Sequence, residues 1–195
     1  MEEKRMITVT VDGDAYTYPQ GTSYRTIAAD FQDRYPCDIL LVNRDGRLCE
    51  LHKSLDRDCT LQMLTARDKP GIQTYERSAV LLLLKAFYDT VGRESVERIS
   101  VEYSLSSALF LLAKGSFTLD QSLLERVEER MRELSAAKLP IEKRSISTDD
   151  AMELFRGAGL IHKADLLSFR INSRVNVYSL DGFVDYFYGY MVPDT

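Results

Sequence analysis

The stretch Tyr75-Glu-Arg-Ser-Ala-Val-Leu-Leu-Leu-Leu-Lys-Ala-Phe-Tyr88 decides the fold of this chain. Residues Val80 to Leu84 are all apolar, and at helical spacing such a run leaves no polar stripe for water to wet. A helix that spans a bilayer needs about 20 apolar residues, and this run is far shorter. The pattern therefore predicts a helix that is buried on most sides, with the residues from Gly71 onward packed around it.

Composition limits the classes of function. The chain has 195 residues, of which 45% are hydrophobic, so it can form one or two domains with ordinary cores. Its net charge of −5 gives no broad basic field, which argues against non-specific DNA binding and leaves only a local patch for any nucleic acid. Three cysteines without a C-x-x-C pair, and no signal peptide, predict reduced thiols in the cytoplasm and no membrane partner.

The first part of the chain predicts a small α+β grasp fold. A hairpin of Met6 to Val11 and Ala15 to Tyr18 turns at Asp12-Gly13-Asp14. A helix capped by Thr22 or Ser23 then runs until Pro36. Further strands are predicted at residues 39–42, 48–51 and 61–65. The polar, turn-rich residues 67–71 predict a boundary between a domain at 1–68 and a second domain at 72–195.

The second part predicts alternating strands and helices. Strands are expected at residues 99–103, 108–112, 142–146, 174–179 and 183–191, with the first two joined through Ser104 to Ser107. Thr118 to Gln121 has the form of a capping box before a helix with one apolar and one charged face, the latter with Glu128 and Arg132 as an i,i+4 pair. Ser147 is predicted to cap a shorter helix over 149–155.

The closing aromatic run, Phe183 to Met191, allows two interpretations. On a strand it presents apolar side chains on both faces, which is typical of the core and rim of a sheet. The alternative is a stacking platform for nucleic-acid bases. The core interpretation is favoured because no basic residues interleave with the aromatic ones.

Residue types needed for common catalytic chemistry are missing. His52 and His162 are the only histidines, and neither has a second ligand at i+3 or i+4, so no metal site is predicted. No phosphate-binding glycine loop occurs, and a hydrolytic triad would have only these two histidines as a base. Both histidines are predicted to be ordinary loop or strand-end residues.

Two parts of the chain resemble two domains of a known family. Ile7 to Gly13, Tyr18 to Ser23 and Leu61 to Asp68 resemble the TGS domain, the ubiquitin-like β-grasp module of threonyl-tRNA synthetases. From Tyr75 onward, and above all over Leu123 to Ile141 and Ala151 to Phe155, the chain looks like the second additional domain of those synthetases, which edits mischarged tRNA. The resemblance implies an α+β fold with a ubiquitin-like domain, then an editing-like domain with a buried central helix on a β-sheet.

Four positions depart from the editing family. That family has a His-x-x-x-His motif on the central helix and a Cys-x-x-x-His motif near the closing strand. The matching positions here are Arg77 and Leu81, then Phe187 and Met191. None of these side chains can bind metal or polarise water, and arginine does not act as a base near neutral pH. The resemblance therefore implies a degenerate site with no catalytic residues and no metal.

The closing residues Asp185 to Pro193 resemble the N-terminal region of fused bacterial nucleoside kinases of the uridine kinase type. This resemblance implies a non-catalytic regulatory or recognition module whose partner is a kinase domain of the same polypeptide. ATP and magnesium are then expected only for that kinase domain, and no cofactor for this chain. A kinase domain would begin where the chain stops at Thr195.

An alternative function is binding of tRNA or another structured RNA. The residues proposed as RNA contacts are Arg77, Lys85, Lys138, Lys143 and Arg144. The acidic net charge argues against RNA binding, because it favours an ordinary solvated surface for these side chains. A third hypothesis keeps hydrolytic activity at an unrecognised site.

Overall fold

The computed structural model describes residues 5–105 and 108–195, apart from the side chain of Leu105, and it divides them into two compact units. The first unit runs from the start of the described chain to Ala79 and also contains Gly189–Asp194. The second contains Val80–Tyr188 and Thr195. A long helix begins at Lys69, within the turn that the sequence predicts as the boundary, and the division falls inside that helix.

The first unit is a mixed five-stranded sheet with one short helix. Its elements are β1 (Met6–Val11), β2 (Asp14–Pro19), α1 (Tyr24–Phe31), β3 (Ile39–Arg44), β4 (Arg47–Glu50), β5 (Cys59–Thr65) and the first half of α2 (Lys69–Val91). The strand order is β2-β1-β5-β3-β4, with β1 and β5 parallel and every other pair antiparallel. This arrangement confirms the predicted grasp fold.

Local sequence explains these elements. Asp12 and Gly13 both have positive φ, 52° and 94°, as a two-residue hairpin turn requires. The hydroxyl oxygen of Ser23 accepts a hydrogen bond from the amide of Thr26 at 3.1 Å, so Ser23 is the cap of α1. The helix ends at Phe31 and a 3-10 turn follows, so it is shorter than the predicted helix that runs to Pro36.

The core of the first unit lies between α1 and the sheet. The buried face of α1 packs in one cluster with the inward side chains of β1, β3 and β5. The members contributed by α1 and β1 are Tyr24, Ile27, Ala28, Phe31, Ile7, Val9 and Val11. Alternate residues of β1 are buried, as expected for a strand with one face on the core.

The second unit holds two separate antiparallel sheets and several helices. Its elements are the second half of α2, β6 (Val96–Leu105), β7 (Ala108–Gly115), α3 (Gln121–Ala136), β8 (Ile141–Ser147), α4 (Thr148–Gly157), α5 (Ile161–Ser168), β9 (Arg174–Leu180) and β10 (Phe183–Tyr186). β6 and β7 form a hairpin, and β10-β9-β8 form a three-stranded sheet. The predicted connection at Ser104 to Ser107 lies partly outside the described residues.

Helix α2 is buried as its apolar run predicts. No residue from Val80 to Tyr88 is exposed. The Phe87 ring lies 5.2 Å from that of Phe117, and the Tyr88 ring lies 5.4 Å from that of Phe183 on β10. A buried helix therefore packs against a sheet strand, and the predicted α+β class is confirmed.

Of the two helix caps predicted in the second unit, one is confirmed and the other is wrong. Ser147 caps α4, as predicted, by accepting a hydrogen bond from the amide of Asp150 at 3.0 Å. The capping box at Thr118 is wrong, because Asp120 is the cap of α3 and its carboxylate accepts from the amide of Leu123 at 2.8 Å. An aspartate immediately before the apolar face competes well with a threonine two residues earlier.

The predicted closing strand over 183–191 is also wrong beyond Tyr186. Pairing with β9 ends at Tyr186, whose amide donates to the Asp185 carboxylate at 2.7 Å. Gly189 then takes a φ of 101°, which a continuing strand does not allow. Residues 187–191 are therefore irregular, and their side chains do not alternate between two faces of a sheet.

Candidate functional site

A cavity of about 310 Å³ lies within the second unit. Four segments line it: α2, β6, α5 and the chain at the end of β10. The lining residues are Val80, Leu84, Arg98, Ile99, Ser100, Val101, His162, Lys163, Leu166, Asp185, Tyr186, Phe187 and Tyr188. The mixture of apolar walls with a few charged groups is typical of a small-molecule or nucleotide pocket.

Helical spacing and the end of a strand bring these side chains together. Val80 and Leu84 are four residues apart on α2 and so share a face. His162 and Leu166 have the same spacing on α5. Phe187 and Tyr188 reach the cavity because the chain leaves the sheet after Tyr186.

A buried ion pair forms part of the lining. The ammonium group of Lys163 binds the carboxylate of Asp185, and their side chains are 13% and 3% exposed. The second carboxylate oxygen of Asp185 accepts from the amide of Tyr186. Each charge thus has a partner, as a buried charge requires.

His162 lies beside this pair with an unused nitrogen. Its Nε2 atom is buried and has no hydrogen-bond partner among the residues that the structure describes. Burial lowers the pKa of His162, and the nearby charges of Lys163 and Arg98 lower it further. The imidazole is therefore neutral at physiological pH, where Nε2 can either donate or accept one hydrogen bond.

The prediction that His162 is a loop or strand-end residue is wrong. It lies in the first turn of α5. Sequence patterns missed this helix because it is short and Leu160, at its cap position, makes no side-chain hydrogen bond. His52, by contrast, lies in the turn that follows β4, as predicted.

An exposed aromatic residue stands at the edge of the cavity. Tyr188 is 66% exposed, and the guanidinium carbon of Arg170 lies 4.4 Å from the centre of its ring. The Tyr186 ring is 6.0 Å from the Tyr188 ring, centre to centre, in an edge-on arrangement. The guanidinium of Arg170 thus lies over one face of the Tyr188 ring, and together they form a flat, positively charged group on which an electron-rich base can stack.

The four positions predicted to be degenerate fall in both units. Arg77 and Met191 belong to the first, where Arg77 donates to the carbonyl of Tyr190 at 2.9 Å and the Met191 sulfur lies 3.4 Å from the Ser78 hydroxyl. Leu81 and Phe187 belong to the second; Leu81 is fully buried and Phe187 lines the cavity.

The residues predicted as RNA contacts differ in availability. Lys85 is a poor contact, since its side chain is 8% exposed and its ammonium lies 2.9 Å from Asp89 and 3.3 Å from Asp181. Lys138 and Arg144 are exposed. Lys143 is half-buried, with its ammonium 5.3 Å from the centre of the Tyr178 ring.

The cavity lacks the arrangement of side chains that a hydrolytic site needs, as far as the structure describes them. Ser100 lines it, but its hydroxyl donates to the Glu102 carboxylate at 2.5 Å. In the described part of the chain no hydrogen bond joins Ser100 to His162, and no group of three or more histidine, cysteine or acidic side chains could hold a metal. None of the helices within residues 5–105 and 108–195 is both long and apolar enough to cross a membrane.

Comparison with known proteins finds threonine–tRNA ligases among the relatives of this chain. No protein-family model matches the chain. The threonine–tRNA ligase of Symbiobacterium thermophilum is 28% identical over 94% of this chain, which spans 28% of that protein. The threonine–tRNA ligase of Methylococcus capsulatus is 31% identical over 77% of this chain, which spans 23% of that protein. The threonine–tRNA ligase of Thermotoga maritima is 25% identical over 94% of this chain, which spans 28% of that protein. The chain thus spans about a quarter of the length of these curated relatives.

Proposed function

We propose that this chain is a non-catalytic RNA-binding module of tRNA specificity, derived from the editing region of a threonyl-tRNA synthetase. The observation that carries the proposal is its similarity to threonine–tRNA ligases over 94% of its residues. Those proteins are named for action on tRNA. A shared region that covers nearly the whole chain supports a shared RNA partner more than a shared activity.

The cavity has chemistry that suits part of an RNA. Tyr188 offers an exposed ring for stacking, and stacking of a base on an aromatic side chain contributes about 1–3 kcal/mol. Arg170 adds a positive charge over one face of that ring, whereas Arg98 on the cavity wall is paired with Glu102 at 3.1 Å. The neutral imidazole of His162 adds an aromatic surface to the cavity lining.

The same proposal includes that this chain has no catalytic activity of its own. Arg77, Leu81, Phe187 and Met191 offer neither a base near neutral pH nor a ligand of the kinds that zinc takes. The chain should therefore bind aminoacylated tRNA without accelerating release of its amino acid, and it should need no cofactor. The cytoplasm remains the predicted compartment, where such an RNA is present.

The test is binding of unmodified tRNA by gel shift at low salt, followed by a salt titration. We expect binding that weakens as salt rises, because phosphate contacts release counterions. Tyr188→Ala should weaken binding about tenfold, within the range that loss of one stacked base allows. Tyr75→Ala is the matched control, since Tyr75 is 54% exposed in the first unit and lies outside the cavity lining.

Two results would overturn the proposal. One is no binding at low salt; the other is an equal effect of Tyr188→Ala and Tyr75→Ala, which would remove the cavity from RNA recognition. Release of amino acid from mischarged tRNA faster than in buffer would instead favour the hydrolytic hypothesis.

The nucleoside-kinase module remains a prediction from the closing residues. The relatives described above are ligases rather than kinases, so they favour the RNA-binding function. Reading the coding DNA beyond the Thr195 codon tests the kinase hypothesis: an open frame that runs into a phosphate-binding loop would support a kinase domain as the partner, with its own ATP and magnesium.

A further inference from the structure

The sequence of strand β7 does not match its exposure. Residues 108–113 read Ala-Leu-Phe-Leu-Leu-Ala, an unbroken apolar run of the kind found in strands that are covered on both faces. In the structure, however, β7 pairs only with β6 among the described residues, and residues 108–110 are exposed. A two-stranded hairpin is marginally stable at best in water. The free edge and the exposed end of β7 therefore lack the cover that their sequence indicates.

The two strands of this hairpin differ in how their edges are protected. β6 contains two bulges, which disrupt the regular pairing of an edge, and it carries the ion pair of Arg98 with Glu102 at 3.1 Å. β7 has neither a bulge nor a proline, and its only charged residue, Lys114, lies next to its end. Bulges, prolines and charges are the features that block the edges of natural sheets. The edge of β7 is therefore open to pairing with another strand.

Exposed side chains extend this open edge into an apolar surface. The rings of Tyr103 and Phe110 are both exposed and stack on each other with their centres 4.8 Å apart. Leu109, the neighbour of Phe110, is exposed on the other face of the hairpin. Because about half of each ring is exposed, the two rings offer roughly 150–250 Å² of aromatic surface in each copy of the chain.

We propose that β7 pairs antiparallel with the β7 strand of a second copy of this chain, about a two-fold axis within the apolar run. Two-fold contacts are by far the commonest between identical chains. The two Lys114 residues then lie at opposite ends of the contact, so no like charges face each other. The apolar run is thus complementary to itself in this orientation.

The same pairing explains why association stops at two copies. It gives a four-stranded sheet in the order β6-β7-β7-β6, whose outer edges are the two bulged and charged β6 strands. These edges resist further pairing. The proposal does not depend on RNA binding, because no residue of β7 lines the cavity.

The size of the contact sets its expected strength. Two copies bring roughly 300–500 Å² of aromatic surface together, to which Leu109 and the backbone edge add. Interfaces below about 1,200 Å² in total belong to weak, transient complexes. We therefore expect a dimer that forms in the micromolar range and dissociates on dilution.

Sedimentation velocity of the full chain, from low micromolar to near-millimolar concentration, tests the dimer. Phe110→Lys places a charge in the contact of both copies, so it should weaken association at least tenfold. Leu124→Lys is the matched control, since Leu124 is 49% exposed and Phe110 is 47% exposed, but Leu124 lies on α3 and outside the hairpin. Its effect should stay below twofold.

Hydrogen exchange of the unsubstituted chain gives a second test that does not depend on how any variant folds. Amides of residues 108–113 should exchange several-fold more slowly at high than at low protein concentration, whereas amides of β8 and β9 should not change. A chain that stays monomeric throughout would overturn the proposal, as would a dimer that Phe110→Lys does not weaken. Slow exchange of residues 108–113 at every concentration would also overturn it, because another part of the same chain would then cover the edge.

Discussion

Lys163 neutralises Asp185 inside the cavity of the second unit, where the Asp185 side chain is only 3% exposed. Removing one partner of such a pair leaves an uncompensated buried charge, which costs about 3–5 kcal/mol. Lys163→Met, which keeps most of the length of the side chain, should therefore lower the free energy of unfolding by about that amount. Urea denaturation followed by circular dichroism measures the change.

The double variant Lys163→Met with Asp185→Asn separates charge from packing. An asparagine carries no charge, so the double variant should recover more than half of the stability that Lys163→Met loses. If Lys163→Met alone stays within about 1 kcal/mol of the parent chain, Asp185 is not buried as a charge.

The pH dependence of stability should show that the pKa of His162 is lower in the folded state than in the unfolded state. Burial lowers its pKa in the folded state, whereas the unfolded chain keeps the ordinary value of about 6.5. Above that value the imidazole is neutral in both states, and its contribution to stability is fully present. As the pH falls below about 6.5 and through the lower folded pKa, the unfolded state takes up a proton first and this stability is lost.

The matched variant is His162→Gln, which has no titrating group and keeps a hydrogen-bonding end. The parent chain should lose more stability than this variant between pH 7.5 and pH 5.5. Unfolding curves at several pH values measure the difference, and parallel pH profiles for the two proteins would mean that His162 is not buried in a neutral form.

The cap of α3 can be assigned by two substitutions. Asp120 bonds the amide of Leu123, so Asp120→Ala should destabilise the chain by about 1 kcal/mol, a typical cost for a lost cap. Thr118→Ala is the control, since Thr118 is exposed and precedes the cap by two residues. A larger loss for Thr118→Ala in thermal denaturation would restore the capping box that the sequence pattern predicts.

Much of the fold could be predicted because local signals agree with tertiary packing. The Asp12-Gly13 turn fixes the first hairpin, and the run from Val80 to Leu84 fixes the buried helix. A turn signal of this kind specifies a hairpin, and an unbroken apolar run within a helical pattern specifies a helix buried on most sides.

The cavity could not be predicted in the same way. It joins His162 to Asp185, which lies 23 positions later, and no spacing rule connects a helix residue to a strand residue at that distance. The sequence also offers no cap for α5, and the turn at Gly189 depends on Arg77, more than a hundred residues away. These features depend on long-range packing, which periodicity does not record.

Tyr88 offers a prediction of increased stability. Its hydroxyl is buried and has no hydrogen-bond partner among the described residues, while its ring packs against Phe183. Burial also raises the pKa of this phenol, so it stays neutral. Tyr88→Phe removes the hydroxyl and keeps the ring, which should stabilise the chain by about 1 kcal/mol.

Tyr24 is the matched control in the first unit. It is also fully buried, but its hydroxyl accepts a hydrogen bond from Arg44 at 2.8 Å. Tyr24→Phe should therefore destabilise the chain by about 1 kcal/mol, the usual net contribution of such a bond. Opposite signs for the two substitutions in urea denaturation would show that the partner of the hydroxyl, and not its burial alone, decides the effect. A loss of stability in Tyr88→Phe would instead show that the Tyr88 hydroxyl is bonded in solution.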